Sequence, residues 1–284
     1  MCGRVVVTLN SDSIRQKCTY RNHLGNTASA NWKSSQSEIL HSVSYNIAPS
    51  MNIPVLVSEC NDRILETMRW GLIPSQFQWE PRHFQYSTFN ARKDRLMQSD
   101  SLFSKPFKMG KRCVILINGF YEWSNSGTAK QPYFISFENY LGNYNNQKEF
   151  NLTMIAGIYE NGIANSQYDR ISSVSIITVD SAPSLKSIHH RMPAILPNEN
   201  SVSQWLDTES VSCKDAFNLL TPFDGLYYYK VNPDVGNVRN NDPQLLNEYI
   251  PIENKLKTKK SLSSSAQLMQ NWLSGGSAKR MKTE

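Results

Sequence analysis

The chain has 284 residues, of which 39% are hydrophobic and 19% are charged, values typical of a globular protein with a sizeable core. Its apolar runs are all shorter than the ~20 residues that cross a bilayer, and its N-terminus lacks the apolar stretch of a signal peptide, so we expect an intracellular protein without a membrane segment. The five cysteines are odd in number and include no C-x-x-C pair, which argues against a disulfide framework and a zinc ribbon.

The net charge of +6 is concentrated near the C-terminus. Residues 255–284 contain seven basic residues and one acidic residue, so residues 1–254 are close to neutral. A nucleic-acid surface on the body must therefore be a local basic patch and not a consequence of bulk charge.

Strand-like and helix-like segments follow one another irregularly along the body. The stretch 22–42, rich in Asn, Ser and His, predicts a long surface loop, and polar stretches at 125–131 and 139–149 separate later strand-like segments. Runs dense in β-branched and aromatic residues predict strands at 114–117, 133–137, 152–159 and 173–179. Helices are expected to begin near Ser11, Asn90, Ser201 and Val211. With no βαβ alternation and no internal repeat, the pattern predicts one α+β domain over residues 1–252, built around an antiparallel, barrel-like β-sheet with flanking helices.

The C-terminal segment, residues 253–284, is rich in Lys and Ser and predicts a disordered tail. Its basic clusters at 255–260 and 279–282 are typical of a nuclear address or of a non-specific nucleic-acid tether. We therefore expect the protein in the nucleus, with the cytoplasm as a second location. Apolar side chains within 266–273 indicate either a short helix that docks a partner or a stray amphipathic turn.

Cys2 directly follows the initiator methionine. Because cysteine is small, we expect a methionine aminopeptidase to remove Met1, which leaves an α-amine and a thiol on one residue. The amine, with a pKa of ~7.7–8.0, is partly neutral at physiological pH, and a basic neighbour such as Arg4 can lower the thiol pKa from ~8.5. Such an aminothiol can condense with an aldehyde to a Schiff base and then a thiazolidine, or it can act in acyl transfer. The alternative is a cysteine that is second by chance.

Two further segments carry residues suited to a site. At 89–92, Arg92 is suited to bidentate phosphate contact and Asn90 can orient an amine or hydroxyl, although a helix cap followed by a surface arginine fits equally well. At 118–123, Glu122 stands among aromatic residues, and a carboxyl in apolar surroundings is a usable acid or base near neutrality. The alternative for Glu122 is a strand residue that faces solvent.

A third segment, 187–193, contains two adjacent histidines and an arginine between apolar residues. A loop histidine can shuttle protons. A histidine pair without a nearby carboxylate or cysteine is weak evidence for a metal, and we expect neither a metal nor another cofactor.

Taken together, these segments resemble the SRAP (SOS response-associated peptidase) family. The matching pieces, in family order, lie at residues 1–4, 45–49, 69–74, 90–92, 112–113, 119–123, 156–157, 189–196, 205–206 and 231–238. Each piece alone is weakly specific, but the ordered set is highly specific and covers essentially the whole body. The resemblance implies a monomeric sensor and shield of abasic sites in single-stranded DNA that forms a covalent DNA–protein crosslink in the DNA damage response. Replication-fork proteins are then the candidate partners of the tail.

The resemblance also implies roles for individual residues. Cys2 forms the crosslink to the aldehyde of the opened abasic sugar, and Glu122 is the acid and base for ring opening and proton transfer. Asn90 holds the amine or the sugar, and His189 assists sugar opening.

The same resemblance implies DNA contacts: Arg4, Arg92 and Arg191 hold phosphates, and Trp70 wedges or stacks against a base beside the lesion. The chain departs from the family pattern at 93–94, where Lys-Asp replaces Ser-Glu, and at His190, which replaces an Asp. The second change leaves His189 less restrained and makes an exchange of roles between the two histidines conceivable.

Other classes of function fit parts of the pattern. The start of the chain also resembles class II glutamine amidotransferases, but the later motifs do not match them. A thiol peptidase that uses Cys2, His189 and Glu122 is a second hypothesis, and a non-covalent reader of modified or damaged DNA is a third.

Overall fold

The computed structural model describes residues 2–22, 24–33, 41–60, 62–77, 87–124, 130–137, 151–162 and 171–249. The predicted tail at 253–284 and the polar stretch at 139–149 lie outside the described residues, as does most of 125–131. Residues 1–247 form one compact unit. In the described ranges, every helix is too short or too polar to span a bilayer.

The described ranges contain fifteen strands and four α-helices. The strands are β1 (Arg4–Val7), β2 (Thr19–Arg21), β3 (Thr27–Ser29), β4 (Asn31–Trp32), β5 (Ser44–Ile47), β6 (Asn52–Glu59), β7 (Asp62–Trp70), β8 (Asn90–Arg92), β9 (Arg112–Ile117), β10 (Gly119–Ser124), β11 (Gln131–Ser136), β12 (Thr153–Asn161), β13 (Ser172–Asp180), β14 (Arg191–Pro193) and β15 (Tyr227–Lys230). The helices are α1 (Ser11–Lys17), α2 (Ser104–Lys108), α3 (Glu199–Leu206) and α4 (Cys213–Leu219).

Five long strands close into a barrel. β7 pairs with β6, β6 with β9, β9 with β12 and β12 with β13, all antiparallel. β13 then pairs in parallel with β7 through Ser173 opposite Arg69 and Val174 opposite Trp70, which closes the ring. The prediction of an α+β domain around a barrel-like sheet is confirmed, and the parallel closing pair is an addition to the predicted antiparallel pattern.

The second sheet runs β15-β11-β10-β1-β5 and is antiparallel throughout. One face packs on the barrel core through residues such as Phe120 and Ile135, and the other face covers a smaller apolar cluster that includes Tyr121 and Phe134. This is the alternation expected of a strand with both faces buried in different cores.

A single residue, Asn118, separates barrel strand β9 from β10 of the second sheet. The Asn118 Oδ1 accepts a hydrogen bond of 2.7 Å from the backbone N–H of Thr8, which lies just after β1. At Gly119, a Cβ atom would lie 2.6 Å from the carbonyl oxygen of Ile135, so only glycine allows this close approach of the two strands. The crossing carries the residues that follow it, including Glu122, into the second sheet beside the N-terminal strand β1.

The predicted strands at 114–117, 133–137, 152–159 and 173–179 correspond to β9, β11, β12 and β13. The helix expected near Ser11 begins there, with Asn10 as its N-cap. The helices expected near Ser201 and Val211 begin at Glu199 and Cys213, each after a side-chain cap.

Two predictions of local structure were wrong. The helix expected near Asn90 is instead strand β8, which pairs in parallel with β13 before a 3-10 turn at Lys93–Arg95. The stretch 22–42 is not one loop, because β3 pairs with β2 and β4 pairs in parallel with β7. At β8 and at β4, hydrogen bonds to a strand distant in the sequence override the local preference, whereas β2 and β3 form a local hairpin.

Candidate functional site

Cys2 lies just before β1 and is 1% exposed. Its backbone carbonyl accepts a hydrogen bond of 2.7 Å from Nδ2 of Asn90, the first residue of β8. The pairing of Asn90 with Ile176 of β13 places this amide, because β13 holds β8 at the barrel rim. The other amide atom, Oδ1 of Asn90, is buried and has no hydrogen-bond partner among the residues that the structure describes. A buried acceptor in this position is ready to receive a donor near Cys2.

Glu122 is 5% exposed on β10, the neighbour of β1. Its Oε1 accepts a hydrogen bond of 3.2 Å from the backbone N–H of Trp123. Burial raises the pKa of the Cys2 thiol well above its ordinary value, and the nearby Glu122 carboxylate raises it further. The net shift of the thiol pKa is therefore opposite to the activation by Arg4 that the sequence suggests, although a backbone hydrogen bond at Arg4 acts in the lowering direction.

Arg4 contacts protein groups. Its Nη1 donates to Oδ1 of Asn46 at 2.9 Å and to the carbonyl of Val235 at 2.7 Å, and its Nη2 donates to the carbonyl of Gly236 at 3.0 Å. These bonds fasten the turn that contains Val235 to the N-terminal strand. The guanidinium is only partly buried and keeps further N–H donors, so the phosphate contact of Arg4 stays a prediction.

Sequence reasoning missed the role of Asn46, although it lies within the matching piece at 45–49. Asn46 is 1% exposed, and its Nδ2 donates to the carbonyls of Val235, Asn237 and Asn240. One side chain thereby holds the loop that lies behind Arg4. The signal available in the sequence was an asparagine directly before the apolar residues Ile47 and Ala48 in the matching piece.

Arg92 and Arg191 meet at a pocket of about 410 Å³. β13 brings them together, because Thr178 pairs with Arg92 on one side and Asp180 pairs with Arg191 on the other. The pocket lining combines three cationic, two acidic and four apolar residues: Arg92, Lys93, Asp94, Val179, Asp180, Arg191, Phe217, Leu220 and Pro222.

The two arginines differ in accessibility. The Arg92 side chain is 55% exposed and donates from Nε and Nη2 to the two carboxylate oxygens of Asp94, at 3.0 and 3.1 Å. Arg191 is 8% exposed and donates to Asp180 at 2.8 Å and to the carbonyl and hydroxyl of Thr178. Arg92 is therefore the guanidinium that an incoming phosphate can reach without any change in the barrel.

His189 is half-buried, and its Nδ1 accepts a hydrogen bond of 3.0 Å from the backbone N–H of Arg191. The carbonyl oxygen of Arg191 also lies 3.0 Å from Nδ1, so this backbone orients the ring, and Nδ1 accepts from the N–H in the tautomer that carries its proton on Nε2. The backbone thereby supplies a restraint on the ring at a site where the family's Asp is replaced by His190. The His190 ring is exposed and lies 4.3 Å from that of His189. Nowhere in the described ranges do three or more His, Cys, Asp or Glu side chains form a group that could hold a metal ion.

Trp70 is 0% exposed. Its Nε1 donates to the carbonyl of Phe89 at 2.9 Å, and its ring meets the Phe89 ring edge to face at 6.0 Å. The prediction that Trp70 stacks on a base is contradicted, because no face of the indole reaches solvent. Trp70 instead braces the residue that precedes Asn90.

Comparisons with known proteins concern the family and the fold of this chain. The sequence pattern of the family described as SOS response associated peptidase (SRAP) matches residues 1–238. The protein named abasic site processing protein HMCES in Xenopus tropicalis is 36% identical over an alignment of 299 positions, which covers 99% of this chain and 87% of that protein. The protein named abasic site processing protein YoqW in Bacillus subtilis is 32% identical over 210 residues, which cover 72% of this chain and 86% of that protein.

Among solved structures, a protein from Bacteroides thetaiotaomicron superposes with a TM-score of 0.68 at 24% identity, over 88% of this chain and 100% of that one. This likeness shows the fold. The match of the family pattern to residues 1–238 and the near full-length similarity to the Xenopus protein show the family. The chain belongs to the SRAP family.

Proposed function

We propose that this protein captures abasic sites in single-stranded DNA through a covalent crosslink between Cys2 and the ring-opened sugar. The names of its relatives state that those proteins process abasic sites, which suggests the substrate class. The observation that carries the proposal for this chain is the hydrogen bond from Asn90 to the Cys2 carbonyl, with Glu122 beside the Cys2 thiol.

The chemistry begins with removal of Met1, which frees the α-amine of Cys2. The amine attacks the C1′ aldehyde of the opened sugar, and loss of water gives a Schiff base. The Cys2 sulfur then adds to the imine carbon while a proton is transferred to the nitrogen, which closes a five-membered thiazolidine. The steps balance without an oxidant, a reductant or a metal.

Asn90 and Glu122 serve different parts of this sequence. The buried Oδ1 of Asn90 accepts a hydrogen bond from the new amine and so holds it for attack. Because burial and the Glu122 carboxylate raise the pKa of the Cys2 thiol, sulfur attack needs a base. Glu122 takes the thiol proton as the carbon–sulfur bond forms, and the same carboxyl returns a proton when the ring reopens.

The pocket with Arg92 and Arg191 supplies the DNA backbone contact. Arg92 releases the Asp94 carboxylate and binds a phosphate in its place. The barrel holds Arg191 behind Arg92. These contacts position the strand without reading its sequence. His189, with Nδ1 fixed by the Arg191 backbone, presents Nε2 for proton transfer during sugar opening.

Denaturing gel electrophoresis tests the proposal. The protein, with Met1 removal confirmed by mass spectrometry, is incubated with single-stranded DNA that carries one abasic site. The controls are Cys2→Ala, a version with one extra N-terminal residue, and DNA with a tetrahydrofuran in place of the sugar aldehyde. A heat-stable shifted band seen only with free Cys2 and the aldehyde supports the proposal, and no band in any lane overturns it.

The same experiment separates the alternatives. A thiol peptidase acts on a peptide bond and gives no heat-stable band with abasic DNA. A non-covalent reader binds DNA equally well after Cys2→Ala and never gives a heat-stable band.

A further inference from the structure

The sheet face that carries Glu122 continues outward to the edge of the second sheet. In one row across the strands, Glu122 pairs with Tyr133 and Tyr133 pairs with Lys230. In the neighbouring row, Ile135 pairs with Tyr228, two residues along β15 from Lys230. Directly opposed residues, and residues two apart on one strand, share a face of the sheet. Tyr133, Tyr228 and Lys230 therefore lie on the Glu122 side, and we term them the tyrosine surface.

The outer part of this surface is exposed. Tyr228 is 41% exposed, and its ring meets the half-buried ring of Tyr133 edge to face at 6.0 Å. Lys230 is exposed as well. The adjacent Tyr229 turns to the opposite face, where its hydroxyl donates to the carbonyl of Leu246. Tyr229 thus has a clear part in the fold, whereas Tyr228 places an aromatic ring in solvent.

We propose that the tyrosine surface binds the single-stranded DNA that flanks the lesion: a base stacks on Tyr228, and its phosphate contacts Lys230. This inference rests on the proposed function of Cys2. Stacking on tyrosine tolerates every base, which suits a protein that meets lesions in any sequence context. Two strand spacings separate Glu122 from Lys230, roughly 10 Å, so a nucleotide near the captured sugar can reach the surface.

The position of Cys2 supports a path with contacts on both sides of the lesion. Cys2 is hydrogen-bonded to Asn90 on the barrel side, where β8 continues to Arg92. Cys2 also precedes β1, from which β10, β11 and β15 lead to the tyrosine surface. The arginine pocket therefore holds DNA on one flank of the lesion and the tyrosine surface on the other.

Fluorescence anisotropy with three DNA probes tests the inference. Each probe carries one tetrahydrofuran residue, with nucleotides on its 5′ side only, on its 3′ side only or on both sides. We expect Tyr228→Ala to weaken binding about fivefold or more for the two-sided probe and for one of the one-sided probes. Tyr228→Leu, which keeps apolar bulk, shows the same loss, and Tyr228→Phe retains the affinity. Lys230→Ala lowers the salt slope by about 0.7.

Tyr227 provides a matched control, because it is 51% exposed and points to the opposite face of the same strand. Tyr227→Ala is expected to bind all three probes as the unmodified protein does. The inference is overturned if Tyr228→Ala and the unmodified protein bind the probes with equal affinity. It is also overturned if Tyr227→Ala and Tyr228→Ala lose affinity equally, because equal losses indicate an effect on the strand edge as a whole. The probes lack an aldehyde, so a failure of this inference is distinguishable from a failure of covalent capture.

Discussion

The side-chain amide of Asn90 donates a hydrogen bond of 2.7 Å to the main-chain carbonyl of Cys2, although the two residues are 88 positions apart in the sequence. This bond joins the rim of the barrel to the start of the second sheet. It therefore makes the position of the N-terminal cysteine depend on the closure of the barrel, through the pairing of β8 with β13.

Asn90→Ala removes this bond and the amine acceptor. A buried hydrogen bond is worth ~1–3 kcal/mol when one partner is left unsatisfied, so we expect crosslinking at saturating DNA to slow about 5- to 150-fold. The rate is measured by quenched time points on denaturing gels. Ser175→Ala in β13 is the control, because it removes a buried hydroxyl that has no hydrogen-bond partner among the described residues. An unchanged rate in Asn90→Ala would falsify the positioning role.

Glu122→Gln keeps the oxygen that accepts from the Trp123 backbone and removes the carboxylate. We expect crosslink formation and reversal each to slow by about 100-fold or more, since a general acid–base contributes ~10²–10⁴. The carboxylate raises the pKa of the Cys2 thiol, so its loss lowers that pKa and shifts the pH profile of Cys2 alkylation to lower pH. Normal rates in both directions remove the acid–base assignment.

Arg92→Ala removes the exposed guanidinium of the arginine pocket. We expect weaker binding to single-stranded DNA and a salt slope reduced by about 0.7, the value for one phosphate contact on a single strand. Asp94→Asn is the complementary variant: it weakens the ion pair that occupies Arg92 and is expected to tighten DNA binding. Titrations at several salt concentrations measure both effects, and an unchanged slope in Arg92→Ala argues against phosphate contact.

His41 makes stability depend on pH. Burial lowers the pKa of His41 to about 4, with partial compensation by the backbone of Leu9 and Val7. The unfolded chain therefore binds a proton at a higher pH than the folded chain does. The contribution of neutral His41 to the free energy of unfolding is complete above pH ~6.5. It is lost as the pH falls towards 4, by about 1.4 kcal/mol per pH unit.

Urea unfolding at pH 7.5 and 5.5 measures this loss. His41→Gln is expected to lose less stability between the two pH values than the unmodified protein, by about 1 kcal/mol. An identical loss in both proteins shows that other groups cause the acid sensitivity.

Much of the fold follows from short-range patterns in the sequence. The runs that became β9, β11, β12 and β13 are dense in β-branched and aromatic residues, and such residues favour strands wherever their faces are buried. The caps of α1, α3 and α4 are polar side chains that bond to backbone three residues away. These interactions span few residues, so the sequence alone predicts them.

The candidate site was only partly predictable. The motifs predict that Cys2, Asn90 and Glu122 act together. The structure places Asn90 and Glu122 next to Cys2, and their joint role in the chemistry stays a prediction. The motifs cannot show which arginine faces solvent. Arg4 and Arg92 have the same side chain, yet one bonds to the Val235 turn and the other is more than half exposed.

Only the tertiary structure decided the features that depend on partners far away in the chain. Asn90 begins a strand because β13, more than 80 residues later, supplies its hydrogen bonds, and Trp70 is buried because barrel closure covers it. The tyrosine surface exists because β15 pairs with β11 across about 95 residues. Propensity and periodicity act over a few residues, whereas burial and long-range hydrogen bonding depend on the folded whole.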